Sequence, residues 1–549
     1  MKTNNIFKVT ALCLSLLTMV SCKDYLTEIE PGTTLLEDFY VSTPAAVQNV
    51  TGCYVPLMWE YNGTYFSEWF IGDIVSDDAL KGGGSTTDMG ASYDMENWRT
   101  TSNNSLLLDF YRAQYQGIAR CNLALKYVSE LNVGLDADFT ESMKNRLLGE
   151  AYFLRAYYYF RLLRVFGGVP MPLKVIDSSD QWAIERSSVD AVFTQILADL
   201  ELANQNLWVK SAYLPEDMGR ATKGAAQAML LKVNLYMASP YWQKYELSKS
   251  ASSCFTDAKA WGDSIINSGE YALCPNYEDN FTLEGENGQE SVFEIQYAEV
   301  PWGDYGEGYG FTAGSFTQIL IRSRSSLIGG GWGFNHPTEN LYNEFEEGDP
   351  RRDVAILVPK DALIETPAVE YYLGNKMLNN KYGMYRDSSY AGAGFGQWGL
   401  HASRGPLNNR QIRYADVLLM HAEAALGLGD ESTAKNDIDE VRARVGLGAV
   451  GSYTIKVNGQ TITPTTEQAL RHERRVELAM EGHRWFDLVR WQGVDGNGLK
   501  AHMDAYKTTE DPMAQTHIQE FVAGKHELFP IPYDEILLNP AKMEQNPGY

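Results

Sequence analysis

The densest run of chemically competent side chains lies between Arg471 and Arg490. Glu473, Glu477 and Glu481 stand four apart, so a helix would stack them on one face. Arg474, Arg475, Arg484, Asp487 and Arg490 crowd the same stretch. Paired carboxylates could do acid–base work, as in glycoside hydrolysis. A guanidinium within one helical turn of each would instead keep them ionised, a poor state for a general acid. The expectation is therefore an ion-pair network that locks helices together. His472-Glu473-Arg474-Arg475-Val476 also opens like the zinc motif HExxH. Val476 stands where the second histidine ligand is needed, which excludes that chemistry here. Gly82-Gly83-Gly84-Ser85 lacks the Gly-Lys-Ser/Thr ending of a phosphate loop and reads as a flexible turn. Glu284 to Glu290 lacks the spacing of a calcium hand. No cofactor is expected. A structural calcium ion stays open, because oxygen ligands can converge from distant loops.

The elements that must position such residues are mostly helical. Helical period runs through 104–130, 141–166, 188–206, 221–239, 254–268, 412–428, 431–445 and 465–490. Gly167-Gly168-Val169-Pro170 stops the second of these. Arg413 to Gly446 has the length and small-residue placement of a tetratricopeptide unit, with Ala415, Ala422, Ala424 and Ala425 allowing close helix contact. The fold class expected is mainly α. Tetratricopeptide-like helix pairs form a scaffold, with long loop-rich insertions and a few short strands. The insertions are 46–103, 275–350 and 355–410, and they hold much of the Gly, Asn, Tyr and Trp. Alternation over Ser291 to Tyr297 predicts a short strand.

The 549 residues carry 46 basic against 71 acidic side chains, a formal charge of −25. That field repels phosphate backbones, so no nucleic-acid partner is expected. Hydrophobic residues make up 44 %, enough for a sizeable core. Lys2 and Lys8 precede the apolar stretch Val9 to Val20, which is too short to cross a bilayer of ~20 helical residues and fits a secretory segment. It ends at Ser21-Cys22, like a lipobox that would make Cys22 a lipidated first residue. Residues 1–21 thus read as a lipoprotein signal, 22–45 as anchor and tether, and 46–549 as one body. Cys53, Cys121, Cys254 and Cys274 remain and make no disulfide scaffold. Cys121 lies in an apolar helical pattern and reads as a buried small hydrophobe.

Several motifs, in order along this body, resemble the SusD/RagB family. They are Glu150-Ala151-Tyr152-Phe153-Leu154-Arg155-Ala156 with Phe166-Gly167-Gly168-Val169-Pro170, and Gly219-Arg220-Ala221-Thr222-Lys223-Gly224-Ala225-Ala226. Asn340-Leu341-Tyr342, Asp349-Pro350-Arg351-Arg352 and Arg413-Tyr414-Ala415-Asp416 follow. Glu473-Arg474-Arg475-Val476-Glu477-Leu478, Glu481-Gly482-His483-Arg484 and Asp487-Leu488-Val489-Arg490-Trp491 close the series, with Leu528-Phe529-Pro530-Ile531-Pro532 near the end. The looser part spans about 46–330 and the signature part about 331–549. The resemblance implies an outer-surface lipoprotein of Bacteroidota, with four tetratricopeptide-like helix pairs and a loop-rich binding region. It also implies a SusC-like TonB-dependent transporter as partner, delivery of glycan or another nutrient to it, and no enzymatic activity. The site would face the cell exterior, with the chain held to the outer membrane by its lipid.

A glycan offers flat C–H faces and hydroxyl rims, so its site needs aromatic platforms beside hydrogen-bonding side chains. Loop residues are the candidates, because helix aromatics are more often core. One group is Asp77, Asp78, Tyr93, Asn97 and Trp98; the other is Tyr297, Trp302, Asp304, Tyr305 and Trp332. Trp302, Tyr305 and Trp332 sit among glycines, whereas Trp98 has packing on the next helix as its alternative. Trp485 and Trp491 read as core. The rival ligand is an oligopeptide, as for RagB-like members. The rival class is a glycoside hydrolase, which needs two carboxylates facing one cleft ~5–9.5 Å apart.

Overall fold

A computed structural model describes residues 42–59, 68–178, 182–298, 314–325, 331–359, 376–385, 405–457, 460–494, 498–509 and 520–549. Side-chain caps start the helices where the periodicity begins. Asn104, Thr140, Ser188, Thr222, Ser250 and Asp430 each accept an amide of the first turn. Thr465 and Gln468 close a reciprocal capping box. The helices used below are α1 Thr43–Tyr54, α2 Gly90–Glu96, α3 Ser105–Glu130, α4 Glu141–Phe166, α5 Val189–Asn206, α6 Lys223–Ala238, α7 Ala251–Ile266, α8 Tyr414–Gly427, α9 Glu431–Arg444, α10 Thr466–Glu477 and α11 Arg484–Trp491.

Successive helices pack as the pairs α3–α4, α5–α6, α7–α8 and α9–α10. The second members touch one another in order and form an inner layer. Burial follows this layering: α6 is buried on almost every side, whereas α7 buries the single stripe Cys254, Ala258, Gly262 and Ile265. The chain leaves this scaffold between α7 and α8 for the long excursion 267–413 and then rejoins it. One apolar core runs from Ala46 to Met543 and takes in Trp485, with Cys121 buried as its pattern requires.

Four strands matter for position. β1 is Ala79–Gly82, β2 Ser291–Ile295, β3 Phe334–Pro337 and β4 Asn409–Arg413. β2 is the expected short strand, and it pairs antiparallel with β4. β1 pairs antiparallel with β3, Ala79 opposite Pro337 and Gly82 opposite Phe334.

The charged C-terminal run departs from its expected form. α10 ends at Glu477, and Met480 and Gly482 take positive φ of 62° and 78° to turn the chain into α11. Glu481 thus belongs to the turn, not to a helix running to 490. The carboxylates do form a buried ion-pair network, but their partners come from other segments. Glu477 accepts from Arg413 at 2.8 Å, Arg351 at 3.1 Å and Arg444 at 2.5 Å. Glu473 accepts from Arg442 at 2.9 Å and from Arg351. Glu481 takes Lys381 at 2.6 Å and Arg413 at 2.8 Å. Burial raises the Glu477 carboxyl, yet the three guanidiniums outweigh it and hold it far below the usual carboxylate range. Its own helical neighbours point elsewhere: Arg474 pairs with Asp416 at 2.9 Å and Asp487 at 3.0 Å.

Glu477→Gln should leave buried guanidiniums short of charge and lower unfolding free energy by ~3–5 kcal/mol in chemical denaturation, while folded protein keeps its ligand affinity. A second expectation concerns His472, whose ring lies between Glu344 at 2.7 Å and Glu346 at 3.4 Å. Burial opposes its protonation, but the two carboxylates lift its pKa to about 9. Its stabilisation is full below its unfolded value of about 6.5 and is lost as pH rises through about 9. His472→Asn should therefore flatten the fall of melting temperature across that window.

Candidate functional site

The segment that carries Asp77 and Asp78 meets the segment that carries Trp332 through the β1–β3 ladder. Beyond its upper end the chain turns sharply. Gly82, Gly83 and Gly333 all have positive φ, and the Gly83 amide donates to the Gly333 carbonyl at 2.5 Å. A Cβ on Gly82 would lie 2.2 Å from the Gly333 oxygen. The glycine run is thus needed for backbone approach at the ladder end. Lys81 steadies the turn by donating to the Gly82 and Ser85 carbonyls, both at 3.1 Å. Burial pulls its ammonium down to about 8. Glu96 on α2 accepts the Lys81 amide at 2.8 Å, and burial lifts its carboxyl to about 7.

On this turn lie Asp88, Arg324 and Trp332. The Asp88 carboxylate accepts the Gly84 amide at 2.6 Å and lies 3.5 Å from the Arg324 guanidinium. Arg324 also donates to the Trp332 carbonyl at 3.1 Å. The Arg324 and Asp88 side chains are 35 % and 37 % exposed, and Trp332 is partly buried against the core. Ser85 and Thr87 add hydroxyls 3.0 Å apart on the same exposed turn. Behind the surface, the Arg322 guanidinium lies over the Tyr385 ring at 5.2 Å, and the Tyr385 hydroxyl accepts the Ser323 amide at 2.6 Å. The surface therefore offers a guanidinium, a carboxylate and two hydroxyls beside the partly buried Trp332. These can stack on an apolar face and exchange hydrogen bonds with vicinal hydroxyls.

Among the described residues expected at a ligand, the structure brings only Trp332 to this surface. Asp77 and Asp78 are each 1 % exposed and belong to the interior. Arg484 grips Asp77 with two bonds of 2.7 and 2.8 Å, His502 adds a third at 2.9 Å, and Arg475 holds Asp78 at 2.8 Å. Burial raises Asp77, but Arg475 and Arg484 outweigh it and keep its carboxyl well below the ordinary value. For Asp78 burial prevails over the same two arginines, and the carboxyl is raised. Neither carboxylate is open to a substrate.

Asn97 is fully buried and ties its side-chain amide to the Tyr93 carbonyl at 2.7 Å. Trp98 is buried, but against C-terminal residues and not on the next helix as its alternative had it. It is 6 % exposed, stacked on His526 at 5.4 Å and packed on Trp485 and Phe521. Tyr93 is buried with the Arg99 guanidinium 4.7 Å over its ring. Tyr297 is buried beside Asn408, whose side chain accepts its amide at 2.7 Å. Trp302, Asp304, Tyr305 and Cys22, the residue expected to be lipidated, lie outside the described residues. Sequence reading missed Asp88 and Arg324. Asp88 is a lone charge in a Gly/Ser/Thr loop and Arg324 stands between two serines, but 236 positions separate them. Among the described residues, no group of three His, Cys, Asp or Glu side chains is placed to hold a metal ion.

A sequence model of the SusD family matches residues 279–549, and one described as starch-binding, associating with outer membrane, matches 24–235. The chain belongs to the SusD family. SusD-like protein P2 of Formosa agariphila is 26 % identical to it over 554 residues, 99 % of each chain. Among solved structures, a laminarin binding SusD-like protein is 27 % identical with a TM-score of 0.73, covering 92 % of this chain and 99 % of that one. Surface glycan-binding protein A from Bacteroides uniformis is 26 % identical, with the same TM-score and coverage. The SusD-like fold accounts for the layered helix pairs. The relatives' names describe binding rather than catalysis.

Gly82→Ala should destabilise this SusD-family chain by ~1–3 kcal/mol, through positive φ and the clash with the Gly333 carbonyl. Loss of protection at the Gly83 amide in hydrogen exchange would register it directly.

Proposed function

We propose that this SusD-family chain is a non-catalytic binder. It captures an oligo- or polysaccharide at the cell surface and passes it to a SusC-like TonB-dependent transporter. The observation that carries this reading is the surface at the top of the β1–β3 ladder. Trp332, Arg324 and Asp88 gather there from two distant loops, in a chain that aligns along most of its length with a laminarin binding relative. An aromatic plane supplies contact area at little entropic cost, and the two charged groups accept and donate to hydroxyls without forming a catalytic pair. Lipidation at Cys22 would hold the body at the outer membrane, on the exterior side where polymer arrives. The family description, which associates its members with the outer membrane, supports that placement.

The test is native affinity electrophoresis of the chain from Lys23, against laminarin, starch and a panel of plant, host and microbial polysaccharides, with and without EDTA. Retardation by one polymer without release of reducing sugar is expected. Trp332→Ala and Arg324→Ala should each weaken it about tenfold or more, with melting temperature nearly unchanged. Retardation that survives both substitutions would refute the site. No retardation by any polymer would refute glycan capture and favour oligopeptides.

A further inference from the structure

At the lower end of the β1–β3 ladder one side chain bridges the two flanking segments. Arg475 reaches out of α10, only 6 % exposed, and spreads its guanidinium between the residues that lead into β1 and those that follow β3. On the β1 side its Nε donates to the Asp78 carboxylate at 2.8 Å, and its Nη2 lies 3.1 Å from Asp77 Oδ2. On the β3 side Nη2 donates to the Asn340 side-chain oxygen at 2.8 Å, and Nη1 to Glu344 at 3.3 Å. The two strand ends are also laced to each other. The Thr338 amide donates to the Asp78 carbonyl at 2.9 Å, and its hydroxyl to the Asp77 carbonyl at 2.8 Å. Asp88, Arg324 and Trp332 stand at the opposite end of the same four-residue strands.

We propose that Arg475 is the positioning residue of the ligand surface: its fork fixes both strands of the β1–β3 ladder to the helical scaffold, so that the far end presents Asp88, Arg324 and Trp332 in one arrangement. This rests on the reading of that surface as the glycan site. A planar guanidinium can reach four partners on two segments, whereas a lysine ammonium is a point with three donors. Other anchors remain without Arg475. Arg484 and His502 still hold Asp77, and His472 still holds Glu344. An Arg475→Lys chain therefore folds but loosens its ladder.

The experiment is hydrogen exchange by mass spectrometry on the whole mature chain, read in peptides covering 79–88 and 331–340. Wild type, Arg475→Lys, Asp78→Asn and Glu477→Gln are compared. Glu477→Gln breaks a different buried ion pair of the same helix and serves as the destabilised control. Both Arg475→Lys and Asp78→Asn should speed exchange in the two ladder peptides about tenfold, with α3 and α6 unchanged. The control should leave the ladder at the wild-type rate. Equal effects in the control, or an unmoved ladder in Arg475→Lys, overturn the proposal. Affinity for laminarin, or for whichever polymer retards the wild type, should fall about fivefold in Arg475→Lys. An unchanged affinity there, where Arg324→Ala lowers it, also overturns it. If Arg324→Ala and Trp332→Ala are themselves silent, the reading of this surface as the glycan site fails, and the exchange data decide the role of Arg475 in the ladder separately.

Discussion

The structure depends on charge buried along α10. A carboxylate or guanidinium removed from water is costly unless its partners are held in place. Here Glu473, Glu477 and Glu481 take partners from the excursion before α8, from β4 and from α9. Arg474 turns to Asp416 on α8, and Arg475 turns to the ladder. One short helix thereby fixes segments that are remote in sequence. Each guanidinium is satisfied only when the long insertions return to defined places, so the network specifies where those insertions go.

This division of labour lets the insertions carry function. The helix pairs supply a continuous apolar core from repeated small and aliphatic residues, and their outer faces are ordinary amphipathic surfaces. The ladder has only four residues per strand and could not stand alone. It is stable because its lower end is charged and buried while its upper end is glycine-lined and turned outward. That asymmetry gathers half-exposed polar groups beside the partly buried Trp332. It also explains the two treatments of aspartate in neighbouring positions: Asp77 and Asp78 are structural, whereas Asp88, past the glycines, stays half exposed.

Much of the fold was legible because its signals are local. A period of 3.6 and an oxygen side chain before the first turn are written within a few residues. The boundaries of α3, α4 and α5 therefore fall where the pattern places them. The same local reasoning erred at the end of α10, where apolar period continues through a turn that positive φ at Met480 and Gly482 makes necessary. Stacking four-apart glutamates on one helix was a local inference too. It identified a salt-bridge cluster correctly and misplaced the partners.

Sequence by itself determined the helical class, the strand at Ser291–Ile295, the family motifs and the presence of a buried charge cluster, all from neighbouring residues. Tertiary structure decided which polar and aromatic loop residues face solvent. Trp98 and Trp332 are both tryptophans in glycine- or asparagine-bearing loops, yet one is stacked inside on His526 and the other lies beside an exposed arginine. Asp78 finds Arg475 across 397 positions, and Arg324 finds Asp88 across 236. Exposure and pairing depend on which distant segments close over a residue. No short-range pattern carries that information.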